Sequence, residues 1–175
     1  MRIDDHDEEY MAGLEDREHR SISEEIFERP VLEIKRRTWL QMEGKETVAA
    51  AAREMVSKRI GSVLVTRDSI LVGILTERDL LNRMVESPFD PGATALQDLM
   101  TREVHALRPH DTVAVAIHRM SQGRHRHLPL VDDRQRPVGL VSVRDIVDYL
   151  AVLFPHKILT VPPDPGKIPP TREGG

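Results

Sequence analysis

The chain has 175 residues, 39% of them apolar and 31% charged, a size and balance suited to one compact domain with polar tails. Aromatic residues make up only 3% and cysteine is absent, so the core is aliphatic, and disulfides, thiolate metal sites and a cysteine nucleophile are excluded. The net charge of −4 is unevenly spread: residues 1–36 carry twelve acidic and six basic side chains and the remainder seventeen and nineteen, a balance unsuited to a nucleic-acid surface but open to a phosphorylated ligand.

In chain order, residues 1–20 are dense in charge and lack a signal-peptide core, and no later apolar run approaches the roughly 20 residues of a membrane span. Both features point to a cytoplasmic protein. Residues 1–36 read as an acidic N-terminal arm, partly disordered on composition. Within it Ser23 can cap a short helix that Pro30 stops, and Ile26, Phe27, Val31, Leu32 and Ile34 are apolar enough to dock on the domain or on a partner subunit.

Residues 39–42 read as a strand and 46–58 as a helix, with Val48, Ala51, Ala52, Met55 and Val56 at helical spacing. Two β-branched runs, 62–66 and 70–75, flank the turn Arg67-Asp68-Ser69. Residues 77–85 return to helical spacing, and 87–92, holding Pro88 and Pro91, form a breaker. The same order follows again: strand 104–107, turn 109–111, helix 112–122, strands 128–131 and 137–141, helix 143–153. Residues 155–175 contain six prolines and favour an extended C-terminal tail.

The repetition is the strongest signal in the chain. Gly73-Ile74-Leu75-Thr76-Glu77-Arg78-Asp79 returns 66 residues later as Gly139-Leu140-Val141-Ser142-Val143-Arg144-Asp145. Thr47-Val48-Ala49 returns at an offset of 65 as Thr112-Val113-Ala114. The fold class is therefore mixed α/β (α+β): two tandem strand–helix–strand–strand–helix repeats, 37–95 and 96–154, each too small to be stable alone and so packed together.

The Gly-apolar-apolar-Thr/Ser-x-x-Asp signature at this spacing resembles that of the CBS (cystathionine β-synthase) domain, supported by Ile60-Gly61-Ser62-Val63 and Arg126-His127-Leu128-Pro129 before the turns. The resemblance implies a pseudo-two-fold CBS pair (a Bateman module) with two clefts that take AMP, ADP, ATP or S-adenosylmethionine as a regulatory ligand. Asp79 and Asp145 would then accept hydrogen bonds from the ribose diols, with Thr76 and Ser142 beside them. Arg78, Arg144 and Arg126 would meet phosphate, with Lys58, Arg59, Arg124, His125 and His127 as further candidates. Ile60, Gly61, Ser62, Thr101, Leu128 and Pro129 would surround the adenine. Leu99-Met100-Thr101 opens the second copy as family copies open, whereas Arg36 takes the place of Thr101 in the first; this leans towards the cleft built on Asp145.

A structural explanation stands beside the ligand one, because Thr76-x-x-Asp79 and Ser142-x-x-Asp145 also have the spacing of helix N-caps. His118, His125 and His127, with His105 or His110, match no familiar zinc spacing, and no metal site is expected. No phosphate loop, nucleophile elbow or His-Glu-x-x-His element is present, and two aspartates equivalent by repetition would do the same job in separate clefts. The chain therefore reads as a binding module rather than an enzyme. Met84, Val85, Ile146, Val147, Tyr149, Leu150 and Leu153 would supply the apolar face of a homodimer, and a ligand would shift its arrangement and so change which effector protein the arm or tail binds. The alternative is a ligand-independent dimerisation scaffold with vestigial clefts.

Overall fold

The computed structural model describes residues 25–34, 38–123 and 125–154; Ser23, Arg36, Arg124 and the tail 155–175 lie outside them. The elements are β1 (Gln41–Glu43), α1 (Val48–Lys58), β2 (Ser62–Arg67), β3 (Ile70–Thr76), α2 (Glu77–Glu86), α3 (Leu96–Leu99), α4 (Val113–Gly123), β4 (His127–Val131), β5 (Pro137–Ser142) and α5 (Val143–Leu153). Residues 25–28 are helical as well, and Val31–Glu33 form a 3-10 turn after Pro30.

Local chemistry accounts for the order. Thr47 caps α1 by accepting from Ala50 N at 3.2 Å, and an alanine-rich run of strong helix formers carries it to Arg59, which ends it in the left-handed region at φ 53°. Because a helix crosses between them, β1 and β2 pair in parallel; β2 and β3 are joined by the tight turn at Asp68 and Ser69 (φ 51° and 67°) and pair antiparallel. In the second repeat β4 and β5 form the matching antiparallel pair.

The strand expected at 104–107 does not form. Leu107 alone bridges Leu130 in parallel, with Leu107 N to Pro129 O at 2.8 Å and Val131 N to Leu107 O at 2.9 Å. Beyond Leu107 the N–H of Arg108 goes to the Asp111 carboxylate at 2.8 Å and Pro109 has none to give, so the pairing does not extend further along the chain. Helix α3 lies in a stretch to which the sequence reading assigns no element.

Each repeat has its own core. In the first, Val48, Ala51, Met55, Val63, Val65 and Leu75 pack together; in the second, Leu107, Val113, Ala116, Leu128, Leu130, Val141 and Ile146 do so. A third cluster of Leu64, Ile74 and Leu140 joins the two sheets. The segments leading into the repeats are exchanged between these cores. Leu96 and Met100, which precede the second repeat, are buried in the core of the first, while Val31 and Ile34, which precede the first, are buried in the second.

The exchange is symmetric to the residue. Val31 N donates to Asp111 O at 2.7 Å as Leu96 N donates to Glu46 O at 2.9 Å, and Val113 N donates to Arg29 O as Val48 N does to Thr94 O, both at 3.0 Å. The bridges Pro30–Thr112 and Ala95–Thr47 match in the same way. The repeat unit therefore begins near residue 30, inside what composition marks as an arm. Of the two dockings open to Val31 and Ile34, the one on this chain's own domain is realised.

Candidate functional site

The site is built where β3 and β5 run into the helices that follow them. Thr76 accepts from Asp79 N at 3.2 Å, while Asp79 Oδ2 accepts from Thr76 N at 2.9 Å and from its hydroxyl at 2.8 Å. Ser142 and Asp145 repeat the box at 3.3, 2.6 and 2.6 Å. The capping explanation thus holds in the structure, and each Oδ2 is committed to it. Asp79 Oδ1 carries no hydrogen bond among the described residues and remains available as an acceptor. Thr76→Ala and Ser142→Ala should each cost about 1 kcal/mol by urea unfolding; a loss below a few tenths would show that the caps do not hold these helices.

Two neighbouring cavities open at these caps. The larger, about 780 Å³, lies between the starts of α2 and α5 and is lined by residues of both repeats, among them Arg59, Arg78, Arg126 and Arg144. The smaller, about 150 Å³, holds Asp79, Thr101, Ile74, His125, Arg126 and His127. Thr76, Arg78, Arg126 and His127 line both, so the two cavities are neighbours.

Thr101 is the main departure from the sequence reading. It hydrogen-bonds to β3 of the first repeat, with Ile74 N to Thr101 O at 3.0 Å and Thr101 N to Ile74 O at 2.9 Å, and so faces Asp79. Sequence alignment assigns this residue to the second copy, but the exchanged lead-in carries it to the first. Asp145 lines neither of these cavities, and the counterpart of Thr101 on its side is residue 36, outside the described residues.

The other candidates divide. Gly61, Thr76, Arg78, Arg126, His127, Ser142 and Arg144 line the large cavity, and His125 the small one. Lys58 does not reach either; it pairs with Glu54 one turn back along α1. Ile60, Ser62 and Leu128 are 6%, 2% and 0% exposed, and Pro129 is buried in β4. No group of His, Asp and Glu suited to a metal ion occurs among the described residues.

Sequence reasoning missed Ile74, Glu77 and Gly123. Gly123 ends α4, where a Cβ would lie 2.2 Å from Cδ2 of His125; the missing side chain lets the imidazole lie over the helix end, with the His105 ring 4.7 Å away on its centroid. A glycine at a helix end is a legible signal, but its imidazole neighbour is not.

Comparison with known proteins assigns the class and then the family. Two similar units, exchanging their lead-in segments and sharing clefts between capped helices, define a paired-repeat binding module. The CBS domain profile matches residues 42–86 and 96–152, and the chain belongs to the CBS domain family. It is 30% identical over 125 residues to the mitochondrial CBS domain-containing protein CBSX3 of Arabidopsis thaliana, covering 69% of this chain and 59% of that protein. Several curated relatives are considerably longer than the matched region, which spans as little as 18% of one of them. A crystal structure of the CBS domain NE2398 matches with a TM-score of 0.64 at 30% identity, covering 70% of this chain and 98% of that one. A CBS domain protein from Pyrobaculum aerophilum, complexed with AMP, matches with a TM-score of 0.64 at 24% identity, covering 72% and 96%. Among the described residues no helix is long and apolar enough to cross a membrane.

Proposed function

We propose that this chain is a regulatory module that binds an adenosyl compound in the cleft of Asp79 and passes the change to an effector protein. The observation that carries the reading is the convergence of an available carboxylate oxygen, Asp79 Oδ1, with Thr101 from the exchanged lead-in and Arg126 from the other repeat. A carboxylate suits a ribose diol because it accepts two charge-assisted hydrogen bonds. Ile74 and the His125 ring offer an apolar wall and a flat one for the base. Support also comes from a pair of the same fold that holds AMP. A ligand touching residues of both repeats favours whichever arrangement of the pair it fits better, which is the thermodynamic basis of a signal.

Action through a partner needs a surface. Leu81, Met84 and Val85 of α2 are 66%, 55% and 85% exposed, and Val147, Val152 and Leu153 of α5 are 54%, 78% and 37% exposed. This is the face on which a homodimer would form. Of the residues assigned to that face from sequence, Ile146 is buried in the core of the second repeat, and Tyr149 and Leu150 are half-buried against it. The scaffold reading draws on the capping boxes, which account for both Thr/Ser–Asp pairs without a ligand.

The test is the melting temperature against AMP, ADP, ATP and S-adenosylmethionine. A ligand at 100 times its dissociation constant should add about 2.7 kcal/mol of stability, a shift of several degrees. No shift with any of the four at millimolar concentration would sink the ligand reading and leave the scaffold.

A further inference from the structure

The groove between the starts of α2 and α5 mixes two kinds of surface. Four guanidinium groups line it, from Arg59, Arg78, Arg126 and Arg144, against a single carboxylate, Glu77. Among the described residues Arg59, Arg78 and Arg126 make no ion pair, and Arg144 has a loose one to Asp148 at 3.6 Å between largely exposed side chains. Leu81 and Val147 line the same groove and stand mostly in water. A small anion would meet the charges and leave these two side chains wet. An acidic polypeptide that also carries apolar side chains answers both surfaces.

The chain contains such a segment. Residues 3–16 hold seven carboxylates and no Lys or Arg, five of the seven within 4–9, and Ile3, Tyr10, Met11 and Leu14 are set among them. With the whole chain at −4 and this segment at −7, the rest of the chain carries a net +3. The segment is also tethered within reach. Arg29 and Pro30 are fixed beside the start of α4, through Val113 N to Arg29 O at 3.0 Å and the Pro30–Thr112 bridge. From there α4 runs for 11 residues, roughly 16 Å, and Arg126 follows its end by three residues. Glu9 is 16 residues from Glu25, a length of chain that spans roughly 50 Å when extended. A tether of this kind holds its end at an effective concentration on the order of millimolar, so even a weak contact closes.

We infer that the groove is the docking site of this chain's own acidic segment, residues 4–11, held in cis. The carboxylates of 4–9 meet the guanidinium groups through charge-assisted hydrogen bonds, and Tyr10 and Met11 cover Leu81 and Val147. The contact ties the arm to both repeats at once, because Arg59 and Arg78 belong to the first and Arg126 and Arg144 to the second. It also makes the arm a competitor of any anionic ligand that enters the groove, an autoinhibited form that the ligand has to open. That consequence rests on the function proposed above, whereas the docking does not.

The lack of native cysteine allows a single probe to be placed on the full chain. A nitroxide attached through Ala12→Cys should, at low ionic strength, broaden the amide signals of Arg78 and Arg144 and spare the Asp68–Ser69 turn at the far end of β2. Salt at about 0.5 M should restore the broadened signals. Asp4→Asn/Asp5→Asn/Asp7→Asn/Glu8→Gln/Glu9→Gln should abolish the selective broadening, as should Arg78→Glu/Arg144→Glu. By calorimetry, the same five-fold neutralisation of the arm should tighten ATP binding by roughly three-fold or more. Broadening that is uniform, absent or indifferent to neutralisation overturns the docking. Equal broadening in a mixture of nitroxide-bearing chain with isotope-enriched, nitroxide-free chain would seat the arm on a second copy and overturn the contact in cis. If broadening is selective and no nucleotide binds either form, the docking stands and the adenosyl reading fails; if ATP binds and no selective broadening occurs, the docking alone fails.

Discussion

Leu96→Ala should destabilise the protein by about 2–5 kcal/mol, because the side chain is fully buried and the surrounding helix and strands cannot close over the space it leaves. In a domain of this size that is a fall in melting temperature of roughly 5–15 °C. Val31→Ala, its structural counterpart, removes less hydrocarbon from the other core and should cost roughly 2 kcal/mol. The two residues lie in separate clusters, so the double variant should equal the sum within about 0.5 kcal/mol. Denaturant titration of the three variants decides the matter. A cost below about 1 kcal/mol for Leu96→Ala would mean that the lead-in is not part of the core.

The second large effect concerns ligand affinity. Asp79→Asn should weaken binding of an adenosine nucleotide by roughly 10- to 100-fold, the worth of a hydrogen bond to a charged group. Asp145→Asn should change it far less, since Asp145 lines neither of the neighbouring cavities. Each variant is compared with its own unliganded melting temperature, because both aspartates also close capping boxes. Equal losses in the two variants would place the ligand on both sides of the pseudo-axis; a larger loss in Asp145→Asn would reverse the assignment of the cleft.

The repeat was legible because it is written in local chemistry. Thr76 and Ser142, three residues before an aspartate and at the end of an apolar run, fix strand, cap and helix start together, and α5 runs over the same residues as expected. Failures arose where a neighbour distant in sequence decides. The strand at 104–107 looked as good as β1, but of these residues only Leu107 finds a partner, Leu130, across the fold. That Thr101 lies beside Asp79 was not legible, because the exchange of lead-ins has no trace in a one-dimensional alignment. Ile60 and Leu128, apolar residues beside a family signature, read equally as pocket or as core, and both are buried.

The exchanged lead-ins also bear on how this protein can be cut. A fragment ending at residue 95 would keep Val63, Val65 and Leu75 but lose Leu96 and Met100, leaving its interior open on one side. A fragment starting at residue 96 would lack Val31 and Ile34 and be open on the other. Each half is thus the plug of its sibling. Two separately produced halves divided at residue 30 and again before Pro91 would each carry the wrong plug, and could complete their interiors only by finding one another. The seam that the sequence repeat suggests is therefore not a seam along which the molecule separates.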